Sequence, residues 1–238
     1  MQFNPPLVRA RLVRRHKRFL ADALLEDGRA VTAHCPNTGS MMGVCDPGST
    51  VWLSPKSGGK LDWGWELMED TTQGAPTLVG INPMNPNRLA EEAIRAGVIP
   101  ELAGYPVLKR EVRYGSENSR IDLLAEAPGR PTCYIEIKNV HLRRTAGLAE
   151  FPDSVTARGT KHLRELAQMV QSGHRAVMVY LVQRQDCDRF AIAADIDPAY
   201  ADALKQARSQ GVETICYACR ITPVEIAVER PIALDLPE

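Results

Sequence analysis

The residues best suited to chemistry are two acids and a lysine on neighbouring apolar runs. Asp122 lies in the first run, and Glu136 and Lys138 lie in the second. A turn at Ala127–Arg130 separates the runs, and a hairpin symmetric about Gly129 would place Asp122 directly opposite Glu136. Glu136 and Lys138 are two residues apart, so they would project from the same face of their strand. The spacing predicts two carboxylates and an ammonium group on one patch.

Such a patch suits phosphodiester cleavage. Carboxylates bind Mg²⁺ or Mn²⁺, and the ion polarises a phosphate and acidifies an attacking water. Asp122 and Glu136 are the predicted metal ligands and catalytic acids. Lys138 is predicted as a catalytic base or charge stabiliser. A solvated hairpin face with cross-strand ion pairs would give the same pattern, but the apolar neighbours favour a central strand pair, where charges are costly unless they are paired or used.

A third predicted metal ligand, Glu92, lies in a helix that precedes the two strands. A carboxylate near the positive end of a helix is also favourable without any metal, and this alternative stays open. The same helix is predicted to be capped by Asn87 and to stop at Gly97.

A basic segment near the N-terminus is the strongest local concentration of charge, because no acid precedes Asp22. The formal net charge of the chain is zero, so the distribution of charge matters more than its sum. A local basic surface is typical of contact with a phosphate backbone. The predicted nucleic-acid-binding residues of this segment are Arg9, Arg11, Arg14, Arg15, Lys17 and Arg18.

Two further phosphate contacts, Arg158 and Lys161, are predicted near the start of a later helix. A capped structural loop would explain the same polar residues equally well. Asp153, in the loop before the helix, would touch the metal or a water. His162 is a weaker candidate for a base, and as a histidine on a helix flank it is expected to be solvated.

The first third of the chain consists of short β-like runs separated by glycine, proline, asparagine and aspartate. Strands are predicted at residues 7–15, 18–25, 29–34, 50–54, 63–69 and 76–81. This pattern predicts a small β barrel of the oligonucleotide-binding (OB) type. A boundary near residue 82 would divide the chain into a β domain, residues 1–82, and an α/β domain, residues 83–238.

The second part alternates helical and β-like patterns. Three β runs at about residues 105–113, 119–125 and 132–140 follow the first helix. A helix at about 160–172, an apolar strand at 176–182 and a helix at 198–210 come next. The order predicts an α/β domain with a central mixed sheet. No apolar run reaches the roughly 20 residues needed to span a bilayer, and no secretory signal is apparent, so a cytoplasmic protein is expected.

The sequence resembles the sugar fermentation stimulation protein A (SfsA) family over nearly its whole length. Several ordered segments carry the resemblance. In the first part of the chain they are Pro5-Pro6-Leu7, Arg18-Phe19-Leu20-Ala21-Asp22, His34-Cys35-Pro36-Asn37-Thr38-Gly39-Ser40-Met41 and Asn87-Arg88-Leu89. In the second part they are Val112-Arg113-Tyr114-Gly115, Ser119-Arg120-Ile121-Asp122, Cys133-Tyr134-Ile135-Glu136-Ile137-Lys138, Phe151-Pro152-Asp153-Ser154-Val155-Thr156, Arg158-Gly159 and Lys161-His162-Leu163-Arg164-Glu165-Leu166.

This resemblance implies a DNA-binding protein linked to sugar metabolism, particularly that of maltose. It also implies an OB-like domain followed by a PD-(D/E)xK nuclease-like domain, whose motif maps onto Asp122, Glu136 and Lys138 with Glu92 as the helix acid. His141 departs from the family, which usually has threonine there, and this puts substrate contact in doubt more than metal binding.

Two functions therefore remain open. The first is a nuclease that uses Mg²⁺ or Mn²⁺ to cut DNA, with RNA as a second choice of substrate. The second is a DNA-binding regulator that does not cleave. The intact acidic motif favours the first, and the association of the family with sugar metabolism favours the second. The oligomeric state is left open.

Overall fold

A computed structural model describes residues 1–72 and 74–236. Its N-terminal part is a closed β barrel. The barrel strands are β1 (Val8–His16), β2 (Leu20–Leu25), β3 (Ala30–His34), β4 (Thr50–Pro55) and β5 (Trp63–Asp70), and β6 (Thr77–Gly80) extends the sheet from β5. Parallel pairing of β3 with β5 closes the barrel. All six predicted strands are confirmed to within two residues.

Alternation of side chains along β1 explains why this sequence forms a barrel wall. Ala10 and Leu12 point into the barrel core, whereas Arg9 and Arg11 are exposed on its outer face. Trp65, from β5, is fully buried in the same core. The basic residues of β1 can therefore lie in a strand without burying charge.

The second part of the chain contains three helices and ten strands within the described residues. The helices are α1 (Pro86–Arg95), α2 (Ala157–Gln171) and α3 (Pro198–Ser209). The strands are β7 (Val107–Tyr114), β8 (Ser119–Glu126), β9 (Cys133–Val140), β10 (Leu142–Thr145), β11 (Gly147–Phe151), β12 (Arg175–Val182), β13 (Cys187–Ile192), β14 (Glu213–Ile221), β15 (Ile226–Pro231) and β16 (Ala233–Asp235). A short 3-10 helix spans Pro100–Leu102.

The larger sheet of this part has the order β15-β14-β12-β9-β8-β7. Strand β12 pairs in parallel with β9 and β14, and the outer pairs are antiparallel, so the predicted mixed sheet is confirmed. Helix α1 covers one face, and α2 and α3 cover the other. A second sheet, β10-β11-β13-β16, was not predicted, because its strands have only three to six residues and no clear apolar periodicity.

Helix α1 begins earlier than the sequence pattern predicts. Asn85 occupies the N-cap position and Pro86 the first helical position, where the missing amide proton of proline is no disadvantage. The prediction that Asn87 caps the helix is therefore wrong. Because Asn87 is inside the first turn, its side-chain amide is available for a contact with Asp122. The helix ends at Arg95, and Gly97 follows with a φ of 72°, as the glycine stop signal predicts.

Buried ion pairs join the barrel to the second part of the chain. The Asp70 carboxylate, at the end of β5, accepts hydrogen bonds from Arg184 at 2.6 Å and from Arg143 at 3.1 Å. All three side chains are at most 4% exposed. The Gly80 amide also donates to the Gln183 carbonyl at 2.9 Å, and a side chain at Gly80 would collide with Gln183. The two parts of the chain are thus in direct contact. The division of the chain into domains at residue 82 stays a prediction.

None of the helices in the described part of the chain is long and apolar enough to cross a lipid bilayer.

Candidate functional site

The hairpin of β8 and β9 brings the two predicted acids together. Leu123 pairs with Ile135, which is the register expected for a turn symmetric about Gly129. The ladder stops one step before Asp122 and Glu136. At this point the Asp122 carboxylate accepts a hydrogen bond from the Ile137 amide at 2.7 Å, so a side chain takes the place of a backbone acceptor. Asp122 and Glu136 therefore lie side by side just beyond the paired residues, at the edge of a cavity.

Glu136 is the most deeply buried acid of this cavity, with a side chain that is only 2% exposed. Its Oε1 atom accepts a hydrogen bond from the Lys138 ammonium at 2.6 Å and contacts the His162 ring. Burial raises the pKa of Glu136, but Lys138 and His162 outweigh burial and hold that pKa below its usual value. The second oxygen, Oε2, is buried and has no hydrogen-bond partner among the described residues. It is free to take a further donor or a cation.

The pKa of Asp122 is shifted in the opposite direction, upwards. Burial and the nearby charge of Glu136 raise the pKa of Asp122 to about 6, against the stabilising Ile137 amide, Lys138 and Asn87. The Asn87 side-chain amide donates to its Oδ1 atom at 2.9 Å. The two carboxylates therefore repel each other, and a bound divalent cation would remove that repulsion.

The cavity has a volume of about 360 Å³ and opens between the N-terminal turns of α1 and α2. Its lining residues include the predicted Asp122, Glu136, Lys138 and Arg158. They also include Asn87, Glu111 and Thr156, which the sequence did not predict as site residues, and His162, which was only a weaker candidate for a base. Two helix N-termini beside the acids add a positive potential that favours a phosphate group.

His162 is buried rather than solvated, so that expectation is wrong. Arg158 lies one turn earlier on α2, and its Nε–H donates to the Nε2 atom of His162 at 3.3 Å. The ring proton is then on Nδ1, facing Glu136. The separation of four residues between Arg158 and His162 was the available signal, because residues so spaced share one helix face.

Glu92 does not line the cavity among the described residues. Its carboxylate pairs with the N-terminal amine at 2.8 Å and with Arg88 at 2.8 Å. The structure thus gives Glu92 two cationic partners of its own, away from the acids that it was expected to join. Side-chain direction on α1 is responsible, because Asn87, five residues earlier, points at Asp122 instead.

Lys161 is likewise turned away from the cavity. Its ammonium donates to the Glu117 carbonyl in the β7–β8 turn, where Glu117 also pairs with Arg164. This side of α2 holds the hairpin turn in place. Lys161 therefore has a structural contact where a phosphate contact was predicted.

The basic segment separates into two groups. Arg11, Arg14 and Lys17 are exposed, although Arg14 pairs with Asp22 at 2.8 Å. Arg9 is half-exposed beside Glu26. In the second group, Arg15 donates to the carbonyls of residues 18, 37 and 39, and Arg18 donates to the carbonyl of residue 38. The guanidinium groups of this second group hold a loop of the barrel.

That loop reaches the second part of the chain. The Met41 amide donates to Asp153 at 3.1 Å, and the buried His141 ring lies 3.4 Å from the same carboxylate. Burial raises the pKa of Asp153, but His141 and Met41 outweigh it and hold the pKa below its usual value. His141 therefore takes part in a contact between the two parts of the chain. Neither His141 nor Asp153 is among the described residues that line the cavity.

As placed, the described residues contain no group of three His, Cys, Asp or Glu side chains that could hold a metal ion. The paired acids nevertheless fit a divalent cation, because Glu136 presents an unpartnered oxygen and Asp122 lies beside it with a pKa raised by the same charge. Water molecules would complete the coordination of Mg²⁺ or Mn²⁺.

The fold and site define a class of protein, in which a small OB barrel is joined to an α/β domain with a central mixed sheet and a pair of neighbouring acids at a cavity. Family models match both parts. Residues 13–81 match the "SfsA N-terminal OB domain", and residues 84–225 match the "Sugar fermentation stimulation protein RE domain". The chain belongs to the SfsA family, and the predicted fold class is confirmed.

Relatives of similar length support this assignment. Proteins named "Sugar fermentation stimulation protein homolog" from Paramagnetospirillum magneticum and Rhodospirillum centenum are 56% and 58% identical to the chain. The matches cover 100% and 99% of this chain and 99% and 100% of those proteins. The solved structure of Pyrococcus furiosus SfsA in complex with Ca²⁺ has a TM-score of 0.87 and 27% identity, and it covers 99% of this chain and 100% of its own.

Proposed function

We propose that this protein binds DNA and hydrolyses phosphodiester bonds at the cavity between α1 and α2, using Mg²⁺ or Mn²⁺. The observation that carries the proposal is the buried Glu136, whose Oε2 atom has no donor while Asp122 lies beside it. Leaving a buried carboxylate oxygen unpartnered is costly, and a divalent cation would compensate for it. The Ca²⁺ complex of the Pyrococcus furiosus relative supports a divalent cation as the ligand.

Asp122 and Glu136 would hold the cation. When bound, the cation would polarise the scissile phosphate and lower the pKa of an attacking water. Lys138 has a side chain that is 13% exposed, and its ammonium is within reach of both the acids and the cavity. It would orient the water or stabilise the charge that develops on the phosphate.

Residues of α2 would position the phosphate. Arg158 lines the cavity, and its guanidinium can donate to phosphate oxygens while the ring of His162 supports it. His162 also donates to Glu136 and keeps that carboxylate oriented. These residues bind and orient the substrate, whereas the acids hold the cation.

A nicking assay tests the proposed activity. Supercoiled plasmid and single-stranded DNA are incubated with the protein and Mg²⁺ or Mn²⁺, with EDTA as the blank. The wild-type protein is expected to cut, and Glu136→Gln is expected to be inactive, because it keeps the shape of the side chain and loses its charge. Glu92→Gln is the matched control and should cut at the wild-type rate. DNA that is bound but stays intact with both ions would contradict cleavage.

A DNA-binding regulator of sugar metabolism, in particular of maltose metabolism, is the second candidate. Two observations favour it. The Lys138 ammonium offsets part of the negative charge of the site and the Asn87 amide donates to Asp122, and the names of the relatives refer to sugar fermentation. This function requires DNA binding without cleavage, so the nicking assay separates the two candidates.

Binding by the barrel predicts a strong dependence on salt. Arg11, Arg14 and Lys17 are exposed, and the hydrogen bonds that hold the barrel loop come from Arg15 and Arg18 instead. Changing all three to alanine should reduce the slope of log affinity against log salt concentration by roughly three units if each contacts a phosphate. Fluorescence anisotropy with labelled duplex DNA measures that slope.

A second triple variant controls for the loss of positive charge alone. It changes Arg95, Arg189 and Lys205, three exposed basic residues in the second part of the chain, to alanine. It should keep the wild-type slope. Equal slopes for the wild type and the barrel variant would place the phosphate contacts elsewhere.

A further inference from the structure

Glu111 occupies a special position on β7. Arg110 pairs with Leu123 and Val112 pairs with Ile121, so the register places Glu111 directly opposite Asp122. Glu111 has a φ of 54°, a left-handed conformation that is uncommon for residues other than glycine. Its side chain lines the same cavity as Asp122 and Glu136. Three neighbouring strands thus carry one carboxylate each, with Asp122 in the middle.

The Asn87 amide links the first two of these carboxylates. Its Nδ2 atom is 2.9 Å from Asp122 Oδ1 and 3.4 Å from Glu111 Oε1. The two carboxylate oxygens are therefore at most 6.3 Å apart, the sum of the two distances to the shared nitrogen. Rotation of the long, exposed Glu111 side chain can close a gap of this size. An amide carries no net charge, so it does not neutralise the two acids.

A second observation points to a ligand in this cavity. The side chain of Glu136 is 98% buried, since only 2% of it is exposed, and its Oε2 atom lacks a partner. Lys138 and His162 both contact the other oxygen, Oε1. Three carboxylates thus line a cavity in which one buried oxygen has no donor.

We propose that Glu111 is the third carboxylate of the cation site, in the role that the sequence pattern gave to Glu92. Glu111 turns from Asn87 towards a divalent cation held by Asp122 and Glu136 and binds it directly or through a water molecule. This inference rests on the proposed function, because it assigns a further residue to the same site. Glu92 has two cationic partners elsewhere, so the cation site does not require its carboxylate.

Titration with Mn²⁺ alone, followed by calorimetry and by the electron paramagnetic resonance signal of free Mn²⁺, tests the proposal without any activity measurement. Glu111→Gln is expected to weaken Mn²⁺ binding by about tenfold or more. Glu92→Gln, the matched control, should bind as the wild type does.

A second variant separates the carboxylate from the backbone. Glu111→Gly removes the side chain and suits the left-handed conformation, so this variant should fold at least as well as the wild type. Its affinity for Mn²⁺ should nevertheless be lower than that of the wild type, as for Glu111→Gln. If both Glu111 variants bind Mn²⁺ with wild-type affinity while Asp122→Asn does not bind it, the role of Glu111 is disproved and the proposed function stands. If the wild type binds no Mn²⁺, the proposed function itself fails.

Discussion

Replacing Asp122 with asparagine is expected to remove most Mn²⁺ binding and to make the metal-free protein more stable above about pH 6. The pKa of Asp122 is raised to about 6 in the folded state, from 3.8 in the absence of burial and of neighbouring charges. Folding therefore favours the protonated acid. Asp122 does not affect the free energy of unfolding below about pH 4. As the pH rises towards the folded pKa, Asp122 lowers this free energy, by up to about 3 kcal/mol above that pKa.

Asparagine cannot ionise, so it avoids this penalty while keeping an oxygen that can accept from the Ile137 amide. Chemical denaturation in EDTA between about pH 4 and about pH 8 measures the difference between Asp122→Asn and the wild type. We expect the gain to vanish at the acidic end and to reach about 1–3 kcal/mol at the basic end. Added Mn²⁺ should stabilise the wild type and leave the variant unchanged.

Asp202→Asn, in the exposed part of α3, is the matched control and should change neither stability nor its response to Mn²⁺. A purely structural Asp122 would behave differently. In that case Asp122→Asn would be less stable than the wild type at every pH, and Mn²⁺ would have the same effect on both proteins.

Replacing Lys138 with alanine is expected to have two large effects. The cleavage rate should fall by about a hundredfold to ten-thousandfold, the range typical of a lost proton-transfer or charge-stabilising group. The metal-free protein should also lose about 3 kcal/mol of stability, because Glu136 stays buried without its 2.6 Å ammonium partner. His162 remains as the other contact of Glu136, so the protein is expected to fold.

The metal response distinguishes a catalytic lysine from a structural one. Mn²⁺ can replace the lost positive charge beside Glu136, so it should restore part of the stability of Lys138→Ala while the cleavage rate stays as low as predicted above. Plasmid nicking and thermal melts with and without Mn²⁺ measure both effects, and Lys205→Ala serves as the control for loss of an exposed lysine. Wild-type cleavage by pure Lys138→Ala would rule out the catalytic role of this lysine.

Local patterns were sufficient to predict the barrel and the central sheet. Short alternating runs separated by turn residues specify β strands, and the apolar residues of α2 repeat at helical spacing, so neighbouring residues alone determine these elements. The acidic pair was predictable for the same reason. Asp122 and Glu136 are related by one hairpin turn, and the position of Gly129 determines which residues oppose each other.

The sequence by itself therefore determined the two kinds of fold, the hairpin register and the positions of Asp122, Glu136 and Lys138. Tertiary structure decided which other side chains join them. His162 reaches Glu136 only because α2 packs across β9, and Asn87 reaches Asp122 only because α1 begins at Pro86. Such contacts join residues far apart in the chain and depend on helix rotation and strand order, which short-range periodicity does not encode. For the same reason Glu92 is directed to the N-terminal amine and Glu111 to the cavity.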